Sequence, residues 1–412
     1  MRRVAVTGLG CVTPVGNNVN DFWQSLIAGR HGIAKITRYD AAGMKAQLAA
    51  EVKDFDAEHY MPKTEARKTD LYAQYAIAAA AEAMADCGEN APDPERTGVY
   101  VSSGTGGIQT TLNQAEVLIT RGAGRISPFF VPMMIVNMAS ALIAIKFNAK
   151  GPCLPVVSAC ATATHAIGEA FRAIKHGYAD LIIAGGAEAA VNPLAMGGFA
   201  NAQALSLSAD PDAASLPFDR RRVGFIMGEG AGIVILEEYT RAKKRGARIY
   251  CEISGYGNTC DAYHMTAPHP DAESAARMMR LCMDEAGRDA GENLYINAHG
   301  TGTPQNDRTE TLAIKKAFGG AAHDITISST KSMTGHMLGA AGGAEAIAAV
   351  KALETGVVAP TIGLCEPDPD CDLNYTPQTA KRADIDAALS VSFGFGGMNA
   401  GVLFIKNKAA IL

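Results

Sequence analysis

Cys160 stands in VVSACATATHAIGEAF, where a β-branched run gives way to a helical pattern. A sulfur at a helix start lies among unpaired N–H groups, which favour the nucleophilic thiolate. Its small neighbours Ser158, Ala159 and Ala161 leave room for a substrate to approach. Alone, such a cysteine also reads as an inert core residue. Two histidines strengthen the chemical reading. His299 lies in NAHGTGTP and His336 in SSTKSMTGHMLGAAGG, five residues after Lys331, each in a polar turn after a strand-like run. One cysteine and two histidines are too few for a closed zinc site, so no metal is expected. The run Phe393-Gly394-Phe395-Gly396-Gly397 is a further candidate. Its N–H groups either face a developing oxyanion or belong to a plain hairpin turn. Gly8-Leu9-Gly10 lacks the third glycine of a dinucleotide fingerprint, and no GK[ST] phosphate loop occurs.

Elements with an α/β rhythm must carry these residues. Short β-branched runs predict strands at 4–7, 97–102, 155–157, 181–184, 232–236, 253–254, 294–297, 326–328, 388–391 and 401–405. Apolar spacing predicts helices at 71–86, 161–176, 272–286, 308–318 and 342–354. The chain also resembles itself. GVYVSSGTGG (98–107) is like LYINAHGTGT (294–303), residues 155–177 are like 325–356, and GEGAGIVILEE (228–238) is like GFGGMNAGVLFIKN (394–407). The repeat predicts two related α/β halves packed face to face, 1–245 with the cysteine and 246–412 with both histidines. A site between them would draw loops from each half.

Composition is compatible with this. The 412 residues suffice for two fused core units, and 48% hydrophobic with 19% charged residues is ordinary for a globular protein. A net charge of −5 gives no global basic field for nucleic acid. No run of eighteen apolar residues occurs, so no membrane span is expected, and 131–147, broken by Pro132, Asn137, Ser140 and Lys146, reads as a core or interface helix. The opening MRRVAVTGLG reads as a first strand rather than a signal peptide. Nine cysteines without CxxC spacing suggest reduced thiols and a cytoplasmic location.

Ser158-Ala159-Cys160, His299-Gly300-Thr301-Gly302-Thr303, Lys331-Ser332-Met333-Thr334-Gly335-His336 and Gly394-Phe395-Gly396-Gly397 together resemble the motifs of β-ketoacyl-[acyl-carrier-protein] synthases of the elongating type II. The likeness extends over nearly the whole chain. It implies the thiolase-like fold, layered α-β-α-β-α, and usually a dimer. It implies that Cys160 carries the acyl group and that the N–H groups of Cys160 and Phe395, in the turn with Gly396, hold the oxyanion. His299 and His336 would then stabilise the enolate formed when malonyl carrier protein loses carbon dioxide, with Lys331 and Glu345 in support. Thr301 and Thr303 would bind the phosphopantetheine arm that delivers substrate, with no bound cofactor. Phe395 would gate the cysteine, and Phe199, Phe393 and Thr105 would complete the substrate site. Lys63, Arg67, Lys68, Arg121 and Arg125 would form a basic patch for acidic acyl carrier protein, or else simply solvated surface.

Some residues depart from the pattern. Gln203 stands where an arginine is common, and Thr105 where a bulky aliphatic residue often narrows the acyl pocket. HGTGTPQNDRTE, with Asn306, Asp307 and Glu310, resembles polyketide, aryl-polyene and nodulation-type ketosynthases. Those similarities keep open a specialised ketosynthase acting as a heterodimer with a chain-length-factor subunit. A thiolase would need a second cysteine in the C-terminal glycine turn, where this chain has Phe395 and Met398. A non-catalytic chain-length factor typically lacks the nucleophile that Cys160 supplies.

Overall fold

The computed structural model describes residues 1–88, 93–289 and 293–407. Among them, nine strands form the main sheet: β1 (Val4–Val12), β2 (Thr97–Ser102), β3 (Leu181–Glu188), β4 (Gly230–Glu238), β5 (Cys251–Cys260), β6 (Leu294–Asn297), β7 (Thr326–Ser328), β8 (Ala387–Gly394) and β9 (Met398–Lys406). Their spatial order is β2-β3-β4-β1-β5-β9-β8-β6-β7. The duplication is visible in that order. β2, β3, β4 and β1 are joined by one parallel and two antiparallel pairings, and β6, β8, β9 and β5 repeat the scheme. The two sets meet only where Val4–Val6 pair with residues 251–253.

Five helices complete the layers: α1 (Leu71–Cys87), α2 (Thr162–Lys175), α3 (Glu273–Ala286), α4 (Pro304–Phe318) and α5 (Ala341–Thr355). α1 covers the outer face of the first set, and α3 with α4 covers the second. α2 and α5 lie in the middle and touch strands of both sets. Of the 15 residues of α5, 12 are buried, which a surface helix with one apolar stripe would not show. Small residues permit this packing: a Cβ at Gly343 would come within 2.2 Å of Gly232 O. The halves therefore face each other across a helix layer.

Three elements differ from expectation. β1 runs past Gly8 and Gly10 because those glycines admit the backbone of α1, where a Cβ would lie 2.2 Å from Ala83 O or 2.1 Å from Ala79 O. The strand expected at 155–157 is absent. Only a single bridge, Cys153 to Val99, stands opposite β7 at the other sheet edge. Pro152 and Pro155 flank it and donate no ladder hydrogen bonds. Residues 131–147 form two helices, Phe130–Met134 and Met138–Phe147, rather than one.

Candidate active site

Cys160 occupies the middle of a 3-10 turn, Ala159–Ala161, that leads into α2. Ala159 holds φ at +51°, a conformation uncommon for a residue with a Cβ and often found at functional turns. The Ser158 N–H donates to Thr162 Oγ1 at 3.0 Å, and the Ser158 hydroxyl shares a hydrogen bond with His165 Nδ1 at 2.7 Å. Gly394, the last residue of β8, abuts this turn. A Cβ there would lie 2.4 Å from Ser158 O and 3.4 Å from Cys160 N. The Phe395 N–H that follows donates toward the Cys160 thiol. Burial pushes that thiol up to about 12, against the pull of Lys331 and the Phe395 N–H. Burial thus favours the neutral thiol, while Lys331 and the place before a helix favour the thiolate.

The second half supplies the imidazoles. His299 and His336 are each 2% exposed, with ring centroids 5.2 Å apart and planes nearly perpendicular. Phe393 meets the His299 ring edge-on at 5.6 Å, and Phe225 meets His336 at 5.0 Å. Lys331 Nζ donates to His299 O at 2.7 Å, lies 3.3 Å from His299 Nδ1, and pairs with buried Glu345. An ammonium only donates, so Nδ1 must accept and the His299 proton sits on Nε2. His336 Nδ1 is buried with no hydrogen-bond partner among the described residues, and the residue lines the cavity described below.

Both imidazoles lie well below their usual range, chiefly through burial and then through the charge of Lys331. At neutral pH both are uncharged donors, as the proposed enolate chemistry needs. Nitrogen NMR should show neutral tautomers at pH 7, with Nε2–H on His299. Imidazolium at either position would contradict this. Stability is linked to the same shift. Unfolded imidazoles take up protons near about 6.5, whereas the folded ones do not. The unfolded state therefore binds more protons below that value, and stability declines as pH falls through it.

A cavity of about 470 Å³ brings these groups together. It is lined by Cys160, His299, His336, Phe199, Thr301, Thr303, Phe393 and Phe395, with Gln203 also on its wall. Thr301 and Thr303 share a hydroxyl hydrogen bond at 3.0 Å. Two expected site residues lie elsewhere. Gly396 is outside the lining and spends its N–H on Met265 O at 2.8 Å, because the hairpin turns it away from the sulfur. Thr105 is also outside, its hydroxyl donating to Glu188 at 2.7 Å. Lys63, Arg67, Lys68, Arg121 and Arg125 are exposed and line no part of the cavity. Lys63 pairs with Glu58, while Lys68 lies 4.9 Å from the Phe129 ring centre, linking the 63–68 and 121–130 segments.

Sequence reading missed the clamps beneath the histidine turn. Glu310 accepts the N–H groups of His299 and Gly300, each at 2.7 Å, and burial raises its carboxyl to about 8. Asp307 accepts from Phe218 N at 2.7 Å and Gly302 N at 3.2 Å. Acidic residues one and two helical turns after a Gly-Thr-Gly loop were the available signal. By sequence alone they read only as a likeness to specialised ketosynthases. His165, partner of Ser158, was likewise not singled out. Among the described residues no group of three or more His, Cys, Asp or Glu is arranged to hold a metal, and no helix is long and apolar enough to cross a membrane.

Residues 1–242 match the beta-ketoacyl synthase N-terminal domain and residues 250–365 its C-terminal domain. The chain is 50% identical to a 3-oxoacyl-[acyl-carrier-protein] synthase 2 of Synechocystis sp., with 98% of each chain covered. It is 47% identical to the protein of that name from Staphylococcus aureus, over 99% of each. Among solved structures, a beta-ketoacyl synthase from Burkholderia phymatum superposes with a TM-score of 0.93 at 33% identity, over 99% of this chain and 100% of that one. The ishigamide ketosynthase/chain length factor gives 0.91 at 35%, over 98% and 99%.

Proposed function

Because the chain belongs to the β-ketoacyl synthase family, we propose that this cavity performs both halves of a decarboxylative Claisen condensation that elongates fatty acyl chains on acyl carrier protein. The observation that carries this reading is the convergence of Cys160, from the first half, with His299 and His336, from the second, on that cavity. Cys160 Sγ attacks the acyl thioester; the new carbon–sulfur bond replaces the old one, and the departing carrier thiol takes up the proton. The N–H groups of Cys160 and Phe395 hold the tetrahedral oxyanion. Malonyl carrier protein then binds, and Nε2–H of His299 and of His336 donate to its thioester oxygen. Loss of carbon dioxide leaves the electron pair in the enolate those donors stabilise. The enolate carbon attacks the acyl carbon, its bond to Cys160 breaks, and the sulfur regains a proton.

Relatives named 3-oxoacyl-[acyl-carrier-protein] synthase 2 are 47–50% identical over 98–99% of the chain, against 35% for the ketosynthase/chain length factor, which favours elongation over a specialised pathway. The substrates arrive on phosphopantetheine, with Thr301 and Thr303 binding the arm and the basic residues at 63–68 and 121–125 meeting the acidic carrier. A homodimer is the expected assembly. Exposed apolar side chains suit its contact surface: Ile119 is 82% exposed, and Ile145, on the helix Met138–Phe147 that packs on β2, is 75% exposed. The halves divide at 1–245 and 246–412, and the reaction belongs to the cytoplasm, where thiols outside disulfides stay reduced.

Purified protein given acyl carrier protein charged with saturated chains, then malonyl carrier protein, should release β-ketoacyl carrier protein two carbons longer, read by intact-protein mass spectrometry. Turnover only after a second subunit is added, or only with polyenoyl chains, would overturn this reading in favour of a specialised ketosynthase.

A further inference from the structure

The duplication that built the Cys160 site also built its counterpart, and the counterpart is filled. The 3-10 turn Leu338–Ala340 leads into α5 as Ala159–Ala161 leads into α2. Leu338, at φ +44°, repeats the strained Ala159, and Gly339 falls where Cys160 stands. The turn after β2 matches the one after β6, so Ser103 corresponds to His299 and Thr105 to Thr301. β3 and β8 are equivalent eight-residue strands, ending in Glu188 and Gly394.

The two ends of those strands do opposite things. Gly394 has no side chain, and a Cβ there would lie 3.4 Å from the Cys160 amide nitrogen, the amide proposed above to hold the oxyanion. Glu188 is wholly buried, and its carboxylate accepts the equivalent Gly339 amide at 2.9 Å. It also accepts Ser103 Oγ at 2.5 Å, Thr105 Oγ1 at 2.7 Å, Gly104 N at 2.9 Å and Thr105 N at 3.2 Å. A carboxylate has room for about four such donors, so no ligand position is left. A buried acid without a cation is otherwise costly, which makes this cradle a specific arrangement rather than incidental packing. Gly339 lies three residues after His336, and a Cβ at Gly104 would lie 3.5 Å from Ala159 O. One carboxylate thus joins the turn following His336 to the loop beside the Cys160 turn.

We propose that Glu188 is a positioning residue: a built-in anion that occupies the duplicated oxyanion site and thereby holds the His336 turn in register with the Cys160 turn. This deepens the reading of the site given above and rests on it for its kinetic test. Thr105, expected to shape the acyl pocket, serves this cradle instead.

The test uses full-length Glu188→Gln and Glu188→Ala, with Thr105→Val as the milder probe. Glu188→Gln keeps the shape but sets an NH2 against backbone donors. Its kcat for malonyl decarboxylation should fall about 100-fold, the scale of a misplacement of about 1 Å, with KM unchanged. Formate should restore part of the Glu188→Ala activity, and Thr105→Val should lower kcat without altering chain-length preference. A second readout needs no substrate. The groups that bear on the Cys160 thiol are Lys331, Glu188, Glu345 and the Phe395 N–H, and Glu188 pushes it upward. Glu188→Gln should therefore shift the pH profile of Cys160 alkylation to lower pH. Wild-type kcat together with an unmoved alkylation profile would overturn the proposal, as would a Thr105→Val enzyme changed only in chain-length preference. A wild-type protein that neither acylates nor decarboxylates would sink the reaction assignment, and the alkylation profile would still decide the role of Glu188.

Discussion

Cys160→Ala should abolish acyl-enzyme formation while leaving malonyl decarboxylation measurable. Without sulfur there is no nucleophile for the first thioester, and condensation should fall to background, a loss on the order of 10⁶-fold. The second half-reaction has different requirements. His299 Nε2–H and His336 remain in a cavity whose shape a buried Cys-to-Ala change barely alters, and their neutrality does not depend on the sulfur. Burial and Lys331 lower both imidazoles, and the Lys331 charge is untouched by the change. Carbon dioxide release from malonyl carrier protein should therefore survive within about tenfold, an effect of about 1.4 kcal/mol. Mass spectrometry for the acyl adduct and a coupled assay for carbon dioxide separate the two. An adduct that persists in the variant would refute the assignment of Cys160. A parallel collapse of both activities would mean that sulfur and imidazoles act as one unit.

The chemistry was readable because it depends on residue type, whereas its support depends on distance. Cys160, His299 and His336 announce themselves by being reactive groups in strand-end turns of a repeated pattern. The repeat also predicts their convergence, since it matches Gly98–Gly107 with Leu294–Thr303 and so faces the loops of one half with those of the other. Local signals placed most strands and helices within a few residues. They failed where a third element decided. Gly8 and Gly10 look like a turn until α1 is seen pressed against them. Pro155 gave warning that residues 155–157 would not form a ladder. Gly396 and Phe395 are neighbours in sequence, yet the hairpin sends one amide to Met265 O and the other toward Cys160. Glu310 and Glu188 are ordinary acids in sequence, 11 and 85 residues from the groups they hold. Glu310 at least follows a Gly-Thr-Gly loop on the next helix, but nothing short of the fold reveals that Glu188 collects several amides.

Lys331→Met should be the most damaging change that leaves the cavity lining untouched. Lys331 and Glu345 are 1% and 2% exposed, and their ion pair is charge-assisted and buried. Removing the lysine strips Glu345 Oε1 of its donor when Oε2 already has no partner among the described residues. His299 O loses its 2.7 Å hydrogen bond as well. Breaking one side of such a pair costs about 3–5 kcal/mol, a large part of the stability of a typical domain. Activity should fall for a separate reason. With no ammonium near Nδ1, His299 is free to move its proton from Nε2 to Nδ1, and the donor aimed at the enolate oxygen is lost. Lys331→Met combined with Glu345→Leu tells the two effects apart. Replacing both charges with apolar groups should recover much of the stability, because the uncompensated carboxylate is gone. It should recover none of the decarboxylation, because the tautomer of His299 is still unset. Thermal unfolding and carbon dioxide release, measured on the single and double variants, check the pair. If the double variant regained both, Lys331 would be a structural residue only. If Lys331→Met unfolded at the wild-type temperature, the buried pair would contribute far less than its geometry implies.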